Sequence, residues 1–89
     1  MSVKFSPLAL EQFFSVEESD KRLFRGLKKM ITDIQRNGTG GLGHPEALSG
    51  NLAGWWSKQI DDANRLVFRI TGAPAIVEIA ECCTHYGDK

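Results

Sequence analysis

No apolar run in this chain approaches the roughly 20 residues that a membrane-spanning helix needs. The opening MSVKFSPLAL has neither a long apolar stretch nor a small-residue cleavage site. Both lacks point away from a membrane and toward the cytoplasm. Cysteine is scarce as well: the only two, Cys82 and Cys83, are adjacent and cannot staple distant loops as a secreted mini-protein requires. A reduced, cytosolic chain is the simpler reading. Nor is there an excess of charge, because 11 basic residues balance 11 acidic ones. That balance argues against a protein that grips bare nucleic acid through many phosphate contacts. The charge is nevertheless unevenly placed, with a net +2 over residues 1–43 and −2 over residues 44–89. No internal repeat, low-complexity segment or domain boundary interrupts the 89 residues, so one domain spanning 1–89 is expected, its 42% hydrophobic content sufficient for a single core.

What is present reads as alternating local signals. Residues 3–5 form a short first strand. Ser6-Pro7 then supplies an N-cap and a proline at the first helical position, predicting a helix with Leu10, Phe13 and Phe14 on its buried side. Residues 15–19 are expected to break it, and Ser19 or Asp20 to cap a second helix that runs to Arg36 and ends at Asn37-Gly38. In that helix Leu23, Phe24, Leu27, Met30, Ile31 and Ile34 cover one arc, and Lys21, Arg22, Arg25, Lys28, Lys29 and Arg36 fall on the other. The basic arc suits solvent or a polyanion. Residues 37–43 (NGTGGLG) hold four glycines but match no phosphate-cradling fingerprint, so they read as a flexible connector. Strand-like runs follow at 55–60, 65–71 and 76–83, with short turn-rich connections that predict an antiparallel meander. Leu66, Phe68 and Ile70 belong against the helices, leaving Arg65, Val67 and Arg69 on the other face. The expected fold is α+β: strand, helix, helix and three strands, a small antiparallel sheet with two helices on one face.

The open face is where chemistry is expected. Cleaving RNA without a metal needs a base for the ribose 2′-hydroxyl, an acid for the leaving 5′-oxygen and fixed positive charge on the phosphate. Glu46, His85 and Arg65 are of the right types, and Tyr86 is placed to stack a base or share the proton work. Structural roles compete for each. Glu46 after a proline suits a solvated loop, Arg65 can pair with Asp61 or Asp62, and a His-Tyr near a terminus can simply pack. Of Trp55 and Trp56, which alternate across a strand, one is expected in the core and the other at the surface. A zinc site built from Cys82, Cys83, His85 and His44 is disfavoured, because adjacent cysteines do not readily share one tetrahedral ion and no CxxC spacing exists. No cofactor is called for.

The order of residues carries more than their types. Gly43-His44-Pro45-Glu46-Ala47-Leu48, then Asn51-Leu52-Ala53-Gly54, Trp56-Ser57, Ile60, Arg65-Leu66-Val67-Phe68 and Cys83-Thr84-His85-Tyr86, with Ser19-Asp20-Lys21-Arg22 before them, resembles the YoeB/Txe toxins of the RelE-like superfamily. The resemblance implies a RelE-like microbial RNase fold and a toxin that acts as a ribosome-dependent mRNA endonuclease. It implies Glu46 as general base, Arg65 as phosphate-stabilising arginine, His85 as general acid and Tyr86 as the adjacent aromatic. His44, Lys58, Arg69, Lys21, Arg25, Lys28, Lys29 and Trp56 are the expected contacts to RNA or ribosome. The implied partners are a cognate YefM-type antitoxin, the ribosome with its rRNA, and mRNA. A homodimer or an antitoxin–toxin hetero-oligomer that binds operator DNA through the antitoxin is also implied, with no membrane.

Departures from the family pattern fall on supporting cations. Lysine is usual where this chain has His44 and frequent where it has Ser49, and an Arg-Arg pair stands where it has Lys58-Gln59. The tail Gly87-Asp88-Lys89 runs past the family's usual His-Tyr ending. These losses keep a second reading open: a catalytically weak homologue serving mainly as an antitoxin-binding corepressor.

Overall fold

A computed structural model describes the backbone of residues 1–85 and the side-chain surroundings of residues 1–83. Strand β1 (Ser2–Phe5) leads into helix α1 (Pro7–Ser19), whose first turn is closed by Ser6, its hydroxyl accepting the Ala9 N–H at 3.0 Å. Ser6 also ties the helix start to the sheet by donating to the Ala80 carbonyl at 2.7 Å. Asp20 ends α1 and caps helix α2 (Lys21–Asn37), accepting from the Leu23 N–H at 3.0 Å. Three further strands follow a short β2 (Glu46–Ala47): β3 (Trp56–Gln59), β4 (Asn64–Thr71) and β5 (Ile76–His85). Their spatial order is β1-β5-β4-β3-β2.

The predicted meander is present, but the sheet is mixed rather than wholly antiparallel, because β1 runs parallel to β5. Two helices separate β1 from the rest, and a crossover of that length lets the first strand return alongside the last in the same direction. Both helices cover one face of the sheet, where Ala9, Leu27, Met30, Ile34, Leu66, Phe68, Val77, Ile79 and Cys82 form the buried core.

Three local expectations are corrected. Residues 15–19 do not break α1, which continues to Ser19 with the Ser19 hydroxyl donating back to the Ser15 carbonyl at 2.8 Å. Leu10 and Phe14 are exposed, since α1 meets the sheet along Ala9 and Val16, with Phe13 wedged edge-on between Phe5 and Phe24. The small Ala9 lets the helix axis approach β5 closely, and this rotates the bulkier neighbours outward.

The third correction concerns the glycine-rich segment, which is a built loop. Asp33 of α2 accepts from Leu42 N–H at 3.1 Å and from Asn37 Nδ2 at 2.7 Å, and the Gly43 carbonyl accepts the Gln59 N–H at 2.6 Å. Gly43 has φ +86°, and a Cβ there would lie 2.8 Å from Met30 Cε and 2.9 Å from the Gln59 carbonyl. Only glycine accommodates both the left-handed backbone and that approach. Among the described residues, no helix is long and apolar enough to cross a membrane.

Candidate active site

Side chains of β3 and β4 alternate, so Ser57, Gln59, Arg65, Val67 and Arg69 point to the face opposite the helices. The edge strand β2 adds Glu46 to that face. Its register pairs Glu46 with Ser57 and Ala47 with Trp56, and the Leu48 N–H donates to the Trp55 carbonyl at 2.9 Å to close the connection. The 3₁₀ turn Gly50–Leu52 inside this connection uses Gly50 at φ +65° to reverse the chain. Glu46 was expected in a loop, and the strand pairing fixes it at the sheet margin instead.

Arg65 and Glu46, 19 residues apart in sequence, meet there. Arg65 Nη1 donates to Glu46 Oε1 at 3.1 Å and to Ser57 Oγ at 2.8 Å. The arginine is 17% exposed and the carboxylate 54%, so the pair is open to solvent from the carboxylate side. Ser57 is buried, and its hydroxyl anchors the guanidinium from beneath. Sequence reasoning did not assign Ser57 to the site. Its even spacing from Gln59 in β3 was the one available signal, and its place opposite Glu46 came from the strand register. Asp61, one of the partners considered for Arg65, caps the β3–β4 turn by accepting from the Ala63 and Asn64 N–H groups. The backbone of His85 pairs with Asn64 and that of Thr84 with Arg65, which brings the end of β5 next to the start of β4. The His85 side chain, Tyr86 and the Gly87-Asp88-Lys89 tail lie outside the described residues.

The remaining expected contacts separate into three places. Lys21, Arg25, Lys28 and Lys29 are exposed on the outer side of α2, across the molecule from Glu46 and Arg65. His44 is exposed beside β2 with φ +50°. Arg69 lies on the open face, bonded to Glu78 at 3.0 Å and stacked over the Trp55 ring with its guanidinium carbon 4.4 Å from the centroid. Hydrogen bonds from Thr71 and then Arg69 hold the Glu78 carboxyl below its usual range.

One expectation fails and another is sharpened. Lys58 does not face a polyanion: it is fully buried, its ammonium bonded to Asp33 Oδ2 at 2.8 Å and to the Gly40 carbonyl. Trp56 lies opposite Phe68 and packs half-buried against the core, and Trp55 is also half-buried, under the Arg69 guanidinium. Lys58 shares the parity of Trp56 in β3, which places both on the helix-covered face. Among the described residues, no group of three or more His, Cys, Asp or Glu side chains is positioned to hold a metal ion.

With this geometry in place, the comparisons with known proteins become interpretable. A family model described as the YoeB-like toxin of bacterial type II toxin-antitoxin system matches residues 5–86. Toxin RelK of Mycobacterium tuberculosis is 44% identical over 68 residues, covering 76% of this chain and 80% of the relative. A YoeB/ParE toxin from Agrobacterium tumefaciens superposes with a TM-score of 0.92 at 29% identity, covering 97% of this chain and 100% of that one. YoeB of Staphylococcus aureus, solved as a dimer and in a heterotetrameric complex with YefM, superposes at 0.86 and 0.85 with 33% identity. In both cases 97% of this chain and 98% of that one are covered. A match over nearly the whole chain, together with the shared fold, establishes that this protein belongs to the YoeB-like toxins of bacterial type II toxin-antitoxin systems.

Proposed function

We propose that this toxin is an endoribonuclease that cuts mRNA on the ribosome, in the cytoplasm, by metal-independent general acid-base catalysis. The observation that carries the reading is the contact between Arg65 and Glu46, supported beneath by Ser57, on the uncovered face of the sheet. A carboxylate and a guanidinium at 3.1 Å can address one phosphodiester from two sides. Glu46 takes the proton of the ribose 2′-hydroxyl as its oxygen attacks phosphorus. Arg65 donates to the non-bridging oxygens as charge accumulates on them, an interaction that strengthens toward the transition state. His85 gives a proton to the departing 5′-oxygen, and the role given to Tyr86 is to stack a base or share the proton work. The products are a 2′,3′-cyclic phosphate and a 5′-hydroxyl. Ser57 positions the guanidinium and touches no reacting atom.

The zero net charge fits a nuclease whose substrate is already held by the ribosome. On this reading the cationic side of α2, with Lys21, Arg25, Lys28 and Lys29, meets rRNA while the opposite face meets mRNA. His44 and Arg69 border the substrate. A YefM-type antitoxin is the partner that neutralises the toxin, in an assembly like the heterotetramer of the S. aureus relative, and the S. aureus dimer supports self-association.

The test is expression without antitoxin, followed by primer extension on a translated message. Growth arrest with cleavage inside the translated region, abolished by Glu46→Gln and by His85→Gln and insensitive to chelator, is the expected outcome. Ser57→Ala lowers the turnover number while Ser57→Thr restores it. Full soluble expression with intact messages and undisturbed growth leaves only the corepressor reading.

A further inference from the structure

Two sulfur atoms sit where the proposed cleavage chemistry does not use them. An unbroken strand turns consecutive side chains to opposite faces. In β5 that alternation fails twice, at Ala80 and again at Cys83: Leu66 lies opposite Cys82 and Arg65 opposite Thr84, so Cys83 is an extra, bulged residue. Its backbone has φ +61°, a left-handed conformation uncommon for residues with a side chain. The bulge gives both cysteines to the helix-covered side, with Cys82 fully buried in the core and Cys83 half-buried against it. Helix α1 braces the arrangement. Gln12 Oε1 accepts the Cys82 N–H at 2.8 Å, and Cys82 Sγ donates to the Ala9 carbonyl at 3.3 Å. Cys83 also borders a cleft of about 290 Å³ that it shares with Glu11, Gln12, Ser15 and Val16. A small oxidant enters such a space easily.

We propose that Cys82 and Cys83 are an oxidative modification site, closed by hydrogen peroxide into a reversible vicinal disulfide that displaces the end of β5 and silences the neighbouring Glu46–Arg65 site. The two thiols differ in the way this sequence of events requires. Contact with the Cys82 sulfur holds the Cys83 thiol below its ordinary value, whereas that same contact, and then burial, push the Cys82 thiol up. Half-buried at the cleft where Cys82 is fully buried, Cys83 is the attacking sulfur. Its thiolate displaces hydroxide from peroxide, the O–O bond breaks and a sulfenic acid forms. Cys82 Sγ then attacks Cys83 Sγ and loses its proton as the sulfenic oxygen leaves as water. Two thiols and one peroxide become one disulfide and two waters, and two electrons pass from sulfur to oxygen.

Consecutive Cα atoms lie about 3.8 Å apart across a trans peptide, closer than the roughly 4.4–6.8 Å of ordinary disulfides. The ring is consequently strained and easily reduced, the property of labile, regulatory bridges. Closing it requires the bulge to move. The next residues along the chain are Thr84 and His85, whose backbones pair with Arg65 and Asn64. The silencing rests on the proposed nuclease reading, but formation of the bond does not.

Two readouts separate these claims. The reduced full chain is exposed to hydrogen peroxide, alkylated under denaturing conditions and weighed intact. The expected product is a monomer lighter by two hydrogens, restored by dithiothreitol and not formed by Cys83→Ser or by Cys82→Ala. Stable gain of oxygen, a disulfide-linked dimer or a product still carrying two alkyl groups overturns the proposal. Cleavage of a translated message is then compared for reduced, oxidised and re-reduced protein. Oxidation should lower it by about 100-fold, the cost of a small misplacement at a catalytic site, with recovery on reduction and no response in folded Cys83→Ser. A disulfide that leaves cleavage unchanged overturns the silencing. A reduced protein that cleaves nothing overturns the nuclease reading and the silencing with it, while the mass still decides the bond.

Discussion

Two ion pairs of this molecule, drawn from the same kinds of residue, behave as opposites. Lys58 and Asp33 meet beneath the sheet at 2.8 Å, with exposures of 0% and 9%. Arg65 and Glu46 meet on the uncovered face at 3.1 Å, with exposures of 17% and 54%. The inner pair is saturated: Asp33 also accepts from Asn37 and Leu42, and Lys58 donates to the Gly40 carbonyl. The Lys58 ammonium is closed off from solvent, and both Asp33 oxygens already accept hydrogen bonds. The outer pair is anchored from one side by Ser57 and leaves its carboxylate accessible to solvent. Burial therefore separates a charge pair that holds the glycine-rich loop on α2 and β3 from one that can act on a ligand.

The sharpest way to break this comparison is to truncate one cation from each pair. Lys58→Ala strands Asp33 in the interior and should cost about 3–5 kcal/mol. Arg65→Ala should cost about 1 kcal/mol or less, as for partly exposed pairs. Urea denaturation of both variants measures the difference, and equal losses would erase the distinction between the two sites.

A smaller effect is expected where the loop that feeds Lys58 its carbonyl is strained without touching a charge. Gly43→Ala forces a Cβ against Met30 and the Gln59 carbonyl at φ +86° and should lose about 2 kcal/mol from backbone strain and overpacking. Gly50→Ala, at φ +65° with open space around it, should lose only about 1 kcal/mol from the backbone alone. Thermal melts of the two variants compare the inner loop with the turn beside Glu46.

The smallest effect is a pH signature. Hydrogen bonding from Lys58 leads the effects that hold the Asp33 carboxyl below its usual value. A lowered folded-state pKa contributes stability that is present above the unfolded value of about 3.9 and is lost as pH falls through the folded value. In Lys58→Met the leading one of these effects is lost, so the folded pKa rises from its native value and this pH dependence weakens. Relative to the native protein, this variant should become less unstable as pH falls below the unfolded Asp33 pKa and through the native folded one. Melting both proteins across that range checks it; parallel curves would mean that the inner pair contributes nothing specific.

Much of this organisation was legible in the chain, and the failures have physical causes. Ser6-Pro7 and Asp20 marked both helix starts because capping depends on a few adjacent atoms. Leu66 and Phe68 were assigned to the core by alternation alone. The same alternation, carried one strand earlier, places Lys58 with Trp56 on the covered face. The inference was missed because a lysine is rarely buried without an acid to receive it, and that acid, Asp33, lies 25 residues away. Leu10 and Phe14 were misassigned because the residues of α1 that meet the sheet depend on how closely Ala9 lets it approach. Glu46 and Arg65 were identified as types, but Ser57 as the support of the arginine emerged only from the pairing of three strands.

Local chemistry, then, determined by itself where the chain turns, caps, coils and extends, because those choices are made by neighbours within a few bonds. It also determined which side chains could move protons or hold a phosphate. The tertiary structure alone decided which charges are consumed inside and which remain available, since desolvation is imposed by residues far away along the chain. It likewise decided that one bulge in β5 turns two consecutive cysteines toward the same side.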